Sequence, residues 1–166
     1  MNHINFKQVK GICFVYFVLY SLLGFSQENS VLEKDIISFG QPNQEQLESF
    51  FSEGVEIVID LRGPQENRGY DEESFLQSMN LAYYSLPIID EADISYENAK
   101  VLQDIISKVD GKVLMHCGSG NRVGAMLALI ARLEGLEPDA ALALGEEKHL
   151  SSLRPLIIEL LEQPTD

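Results

Sequence analysis

The residues of this 166-residue chain best suited to do chemistry sit together in Lys112-Val-Leu-Met-His-Cys-Gly-Ser-Gly-Asn-Arg-Val-Gly-Ala-Met126. A short apolar run, Val113 to Met115, leads to His116 and Cys117, and a glycine-rich loop follows. Arg122 then opens a segment whose apolar face begins near Val123. A strand–loop–helix junction of this kind aims several backbone N–H groups at one point, and the helix dipole makes that point electropositive. An anion is stabilised there, and so is a thiolate beside a guanidinium. Gly118 and Gly120 permit the φ angles that turn successive N–H groups inward. Arg122, five positions after Cys117, offers a planar fork for two oxygens of a tetrahedral oxyanion, a geometry that lysine lacks. The chemistry expected is nucleophilic attack by sulfur on an anionic centre.

The elements around this loop follow from composition and periodicity. Apolar content of 45% and charged content of 23% belong to a globular protein, and the length suits one domain. Lys7 and Lys10 precede an apolar run from Gly11 to Phe25, after which the chain turns polar. That layout predicts a secretory signal peptide over 1–26, and the run is shorter than the roughly 20 residues of a membrane span. The expected location is therefore outside the cytoplasm, periplasmic or secreted, with no stable membrane insertion after cleavage. Cleavage removes two lysines and no acids, which moves the net charge from −14 to −16. Such a surface repels nucleic acid. It also leaves Cys117 as the only cysteine, so no internal disulfide can form. A lone cysteine in a glycine-rich loop reads as chemical, against the alternative of an inert buried thiol.

Residues 27–35 read as a disordered lead-in, and 36–166 as the domain. Strands are expected at 36–39, 55–61, 81–88 and 113–115, with helices from Asn43 or Gln44 to 51, at 72–79, 96–109 (capped by Ser95), from Arg122 to Gly135, 138–144, and from Ser151 or Ser152 to 161. Strands alternating with helices predict an α/β three-layer fold, with a mainly parallel sheet of four to five strands flanked by helices. Open sheets of this type place their ligands at the C-terminal strand ends, where Cys117 lies. His149 reads as a surface histidine, and no metal-ligand cluster or cofactor motif stands out.

The loop resembles that of the cysteine-dependent phosphatases of protein tyrosine and dual-specificity type, whose signature is His-Cys-x-x-Gly-x-x-Arg. His116, Cys117, Gly120 and Arg122 stand for its elements. Ile57-Val-Ile-Asp-Leu-Arg62, Tyr84-Ser-Leu-Pro-Ile-Ile-Asp90 and the helix to Val109 follow in the same order. The likeness is greatest to a bacterial phosphatase-like family found fused to beta-lactamase-hydrolase-like proteins. Gly40-Gln41-Pro42, Val58 to Arg62 and His116 to Arg122 match it over about Phe39 to Leu150. The resemblance implies a protein tyrosine phosphatase-like fold and a phosphoric monoester hydrolase without cofactor or metal. It implies Cys117 as nucleophile through a phosphocysteine, with Arg122 and the N–H groups of Gly118, Ser119, Gly120 and Asn121 as the phosphate cradle, supported by His116. It implies Asp90 as general acid, with Asp93 as the alternative, and a phosphorylated protein or small phosphomonoester as partner. Arg62 is either an ion-pair partner or a contact at the rim of the site.

Two departures accompany the likeness. Four residues separate Cys117 from Arg122 where these phosphatases have five, and Val123 stands where many carry a hydroxyl that steadies the departing thiolate. Both predict slow breakdown of the intermediate. The shorter spacing is that of rhodaneses, so a sulfurtransferase working through a Cys117 persulfide is one alternative. A weakly active module that binds oxyanions or a partner is the other.

Overall fold

The structure is a computed structural model and describes residues 30–165. The predicted signal peptide over 1–26 lies outside the described residues. Four parallel strands, β1 (Ile36–Phe39), β2 (Val55–Asp60), β3 (Ala82–Ser85) and β4 (Lys112–His116), form one sheet in the order β1-β4-β2-β3. Six helices surround it: α1 (Gln44–Ser52), α2 (Glu72–Ser78), α3 (Tyr96–Ser107), α4 (Asn121–Leu133), α5 (Pro138–Glu147) and α6 (Arg154–Leu161). The architecture is the expected three-layer α/β fold.

Side-chain alternation along the interior strands sorts the core into two layers. Val58 and Leu114 face α1 and α2, where they join Leu47 and Leu76. Ile59, Val113 and Met115 face the other side and meet Leu102 and Ile106 of α3 and the fully apolar inner face of α4. Because β4 is last in the chain but lies between β1 and β2, the loop after it emerges at the centre of the sheet edge, with the loops after β1 and β2 beside it.

Local chemistry sets the helix starts. Asn43 caps α1 through a reciprocal box with Gln46, Asp71 caps α2, and Ser95 caps α3 as its sequence predicts. Elsewhere the boundaries shift. Helix α4 begins at Asn121, one residue before the arginine expected to open it, α5 runs on to Glu147, and β3 is four residues instead of eight. Helix α6 starts at Arg154, beyond both predicted serine caps. The turn before it is held instead by Asn121, whose Oδ1 accepts N–H bonds from Ser151 and Leu153.

Within the stretch 27–35, residues 30–34 lie against the end of α4. Ser30 caps a 3-10 turn over Val31–Glu33, Val31 is buried, and Glu134 at the end of α4 accepts N–H bonds from Val31 and Leu32. Burial pushes the Glu134 carboxyl up, but its hydrogen bonds, led by Ser30, hold it below the usual range.

Candidate functional site

The loop between β4 and α4 carries Cys117 at the C-terminal end of the central strand. Its side chain is completely covered, and Sγ accepts the N–H of Gly120 at 3.1 Å. Gly120 is the N-cap of α4 with φ +88°, and a Cβ there would meet His149 Cβ at 2.8 Å. Glycine is therefore required twice, for the left-handed backbone and for the close approach. Gly118 does not have a left-handed φ. Its open side faces Arg122 Nη2, 3.6 Å from where a Cβ would stand. The pair of glycines thus serves two purposes instead of the single one read from the sequence.

Arg122 leans back over the loop and ties three segments together. Nη1 donates to Ile88 O at 2.8 Å, to Leu61 O at 3.3 Å and to Glu66 Oε1 at 2.6 Å, and Nη2 donates to Glu66 Oε2 at 2.7 Å. Glu66 Oε1 also accepts the Gly63 N–H at 2.7 Å. Hydrogen bonding from Arg122 is the main reason the Glu66 carboxyl is held below its ordinary range. In turn Glu66, and after it Cys117, hold the guanidinium more firmly protonated against the opposing effect of burial. The Nη1–Nη2 edge is thus committed to Glu66, while Nε donates to no acceptor among the described residues. A cleft of about 470 Å³ opens beside this pair, lined by Gly63, Pro64, Gln65, Glu66, Ile89 and Arg122.

Asp90 and Asp93 sit in the turn that follows Ile89. Asp90 Oδ1 accepts the N–H of Ala92, and Asp93 Oδ2 accepts those of Ile89 and Asp90. Because Arg122 grips Ile88 O, the turn carrying both acids is anchored next to the loop. Gly40 and Gln41 pack on the loop's other flank. Gln41 N donates to Gly118 O at 3.3 Å, and a Cβ on Gly40 would come within 3.3 Å of the same oxygen. His149 is exposed but no idle surface residue: its backbone is left-handed at φ +78°, and Nδ1 lies 3.0 Å from Ser38 Oγ.

Beneath the loop lies a buried charged cluster. Arg62 is wholly enclosed, with Nε 2.9 Å from Asp60 Oδ1, Nη2 2.9 Å from Asp60 Oδ2, and a further ion pair to Glu72. It is a structural ion-pair partner and not a rim contact. Arg68 and the Tyr83 hydroxyl complete the shell of Asp60. Burial raises the Asp60 carboxyl, but the Arg62 hydrogen bonds and neighbouring charge lower it to about 2. His116 Nε2 lies 2.8 Å from Glu72 Oε1, so the residue before Cys117 is seated on this cluster. Asp60, Glu72 and His116 bring ligand atoms within 4.8 Å of one another, a grouping the sequence reading did not find. The Arg62 guanidinium already stands among them and supplies the compensating positive charge, so the cluster does not fit a metal.

Sequence reasoning also missed Glu66. It lies 56 positions before Arg122 in a stretch read only as polar loop, and the sole local hint is a carboxylate closely following the β2 strand end.

No family model matches the chain. Among solved structures, a Neisseria meningitidis protein proposed to be a phosphatase aligns with TM-score 0.64 and 16% identity over 76% of this chain and 93% of its own. TpbA of Pseudomonas aeruginosa, in complex with phosphotyrosine, aligns with TM-score 0.55 and 18% identity over 77% of this chain and 78% of its own. The fold is that of the protein tyrosine phosphatase-like domains. A DUF442 protein of Shewanella putrefaciens, likewise proposed to be a phosphatase, shares this fold with TM-score 0.58 and 24% identity over 76% of this chain and 82% of its own. In sequence, the chain is 33% identical over 111 residues to the beta-lactamase hydrolase-like proteins of two Xylella fastidiosa strains. The match covers 64% of this chain and 26% of those proteins, so the chain spans about a quarter of the curated relatives it matches.

Proposed function

We propose that the protein is a cysteine-dependent phosphoric monoester hydrolase with Cys117 as nucleophile. The observation that carries this reading is the sulfur at the end of β4, accepting the N–H of Gly120 at the start of α4, with the Arg122 guanidinium close by. A helix N-terminus and a fixed cation stabilise both a thiolate and the equatorial oxygens of a phosphoryl group in transfer. In the first step a Cys117 S–P bond forms as the P–O ester bond breaks, and Asp90 gives its proton to the leaving oxygen. Asp93 is the alternative donor, but Oδ2 of Asp93 is already engaged by two backbone N–H groups. In the second step water attacks phosphorus, the S–P bond breaks, and the carboxylate takes the water proton. Gly118, Ser119, Gly120, Asn121 and Arg122 cradle the phosphoryl oxygens, and the free Nε edge of Arg122 complements them. The charged-then-apolar leader supports work in the periplasm or outside the cell.

Val123 is fully buried and brings no hydroxyl to the departing sulfur, which supports a slow second step. The four-residue spacing between Cys117 and Arg122 favours a sulfurtransferase as the second reading. Turnover of an aryl phosphate by the wild type and by Cys117→Ser separates the two. The phosphatase reading expects hydrolysis that vanadate blocks and Cys117→Ser abolishes. Thiocyanate formed from thiosulfate and cyanide, without phosphate release, overturns it.

A further inference from the structure

The charges around the cleft say which phosphoesters it can take. The chain has 12 lysines and arginines, of which Lys7 and Lys10 lie outside the described residues. The other ten all have a place, and only one of them lines the cleft. Lys34, Lys112 and Lys148 serve the opposite ends of the strands, bonding Val109 O, Asp35 and Ile36 O. Lys100 reaches Thr165 O and Lys108 pairs with Asp104, both from α3, and Arg132 bonds Leu161 O at the far end of α4. Arg62 is enclosed in the buried cluster, and Arg68, whose Nη2 also reaches Gly63 O, gives its charge to Asp60 and does not line the cleft. Arg154, beyond the turn held by Asn121, is paired with Glu146.

That leaves Arg122, whose outer edge is already neutralised by Glu66. Beyond it the cleft offers Pro64, Gln65 and Ile89, the last 67% exposed, and the acidic turn Asp90–Asp93 follows Ile89 in the chain. The N–H groups of one loop and one guanidinium edge suffice for one phosphoryl group. Among the described residues, a second anion on the substrate would find no further cation lining this cleft and would face carboxylates on a strongly acidic protein.

We propose that this site selects a lone phosphoryl group carried on an uncharged or cationic body with an apolar flank, and rejects substrates bearing further anionic groups near the reacting phosphate. The proposal rests on the phosphatase reading and names its substrate class. The apolar flank would lie on Ile89 and Pro64, and the acidic turn that follows Ile89 would repel added negative charge.

The test uses the full chain and three aryl phosphates of matched shape: phenyl phosphate, 4-(aminomethyl)phenyl phosphate and 4-carboxyphenyl phosphate. We expect kcat/KM for the carboxylated compound to be at least tenfold below the other two after correction for leaving-group acidity, with the gap narrowing in 0.5 M salt, on the order of the screening expected there. Inositol hexakisphosphate should inhibit no better than inorganic phosphate. Gln65→Lys, or Ile89→Lys as a second exposed position, should move the ratio toward the carboxylated compound by at least about fivefold. Equal turnover of the three compounds, or inhibition by inositol hexakisphosphate well below the concentration of phosphate needed, overturns this proposal and leaves the phosphatase reading standing. No turnover of any of them, with Cys117 intact, overturns both.

Discussion

Glu66 holds Arg122 by both outer nitrogens, Oε1 to Nη1 at 2.6 Å and Oε2 to Nη2 at 2.7 Å. A bidentate carboxylate fixes the plane of a guanidinium as well as its charge. The inner edge of Arg122 is thereby presented to the loop instead of sweeping through the cleft.

Replacing that carboxylate should disturb turnover more than stability. Glu66→Gln keeps the shape but loses the charge-assisted pair, and kcat/KM for an aryl phosphate is expected to fall about tenfold, as for loss of one charged hydrogen bond. The unfolding free energy should change by no more than about 1 kcal/mol, because the pair is partly solvated. Glu66→Asp, charged but shorter, should lie between. Steady-state kinetics beside a denaturant titration tests this, and an unchanged kcat/KM removes the positioning role.

Acid should undo the buried cluster under the loop. The Asp60 carboxyl is lowered from 3.8 to about 2 in the folded protein. A depressed carboxylate stabilises the fold above its unfolded value, and that contribution is lost as the pH falls from 3.8 toward 2. Its size is about 2 kcal/mol. Asp60→Asn leaves Arg62 without one of its two carboxylate partners, and should cost about 3–5 kcal/mol at neutral pH. The variant's thermal midpoint should also vary less between pH 4 and pH 2 than that of the wild type. A parallel pH dependence of the two would remove Asp60 as the source.

Gly120→Ala should injure the loop by two separable routes. The left-handed backbone costs an alanine about 1–2 kcal/mol, and its methyl would collide with His149. Coupling it with His149→Ala relieves the collision but not the backbone strain. The double variant should therefore recover only part of the lost thermal stability. Full recovery would mean that φ +88° costs nothing there.

Gly124→Ala sets two effects against each other. Alanine is about 1 kcal/mol better than glycine inside a helix. A Cβ at this position would stand 2.3 Å from Leu150 N and 2.6 Å from Gly145 O, which are backbone atoms and cannot rotate away. Overpacking of this kind costs at least about 1–3 kcal/mol, so the substitution should lower the melting temperature despite the better helix former. A rise would show that α4 and α5 can part.

How much of this was legible beforehand depends on the range of each interaction. Cys117 at a strand end, Arg122 opening a helix and the Ser95 cap are local patterns, and periodicity and capping chemistry expose them. The parallel sheet followed from apolar runs such as Val55 to Leu61. The partners of those residues were hidden because they arrive from elsewhere in the chain: Glu66 for Arg122, Glu72 for His116, Glu134 for the turn at Val31. Glu66 and Glu72 sit in polar stretches and Glu134 at the end of an apolar helix, and nothing local distinguishes them from solvated glutamates. The start of α6 was misplaced for the same reason, since the group that holds the preceding turn is Asn121 and not either serine.

Arg122 bonds the carbonyls of Leu61 and Ile88 as well as the Glu66 carboxylate, and so joins the ends of three successive segments of the sheet edge. These attachments hold the loops together whether or not the site turns over a substrate. Cys117 makes one hydrogen bond to the backbone and packs in the core, and a serine or alanine of nearly the same size there would keep the architecture. Under the phosphatase reading, loss of the sulfur would silence a relative of this chain and leave its framework in place.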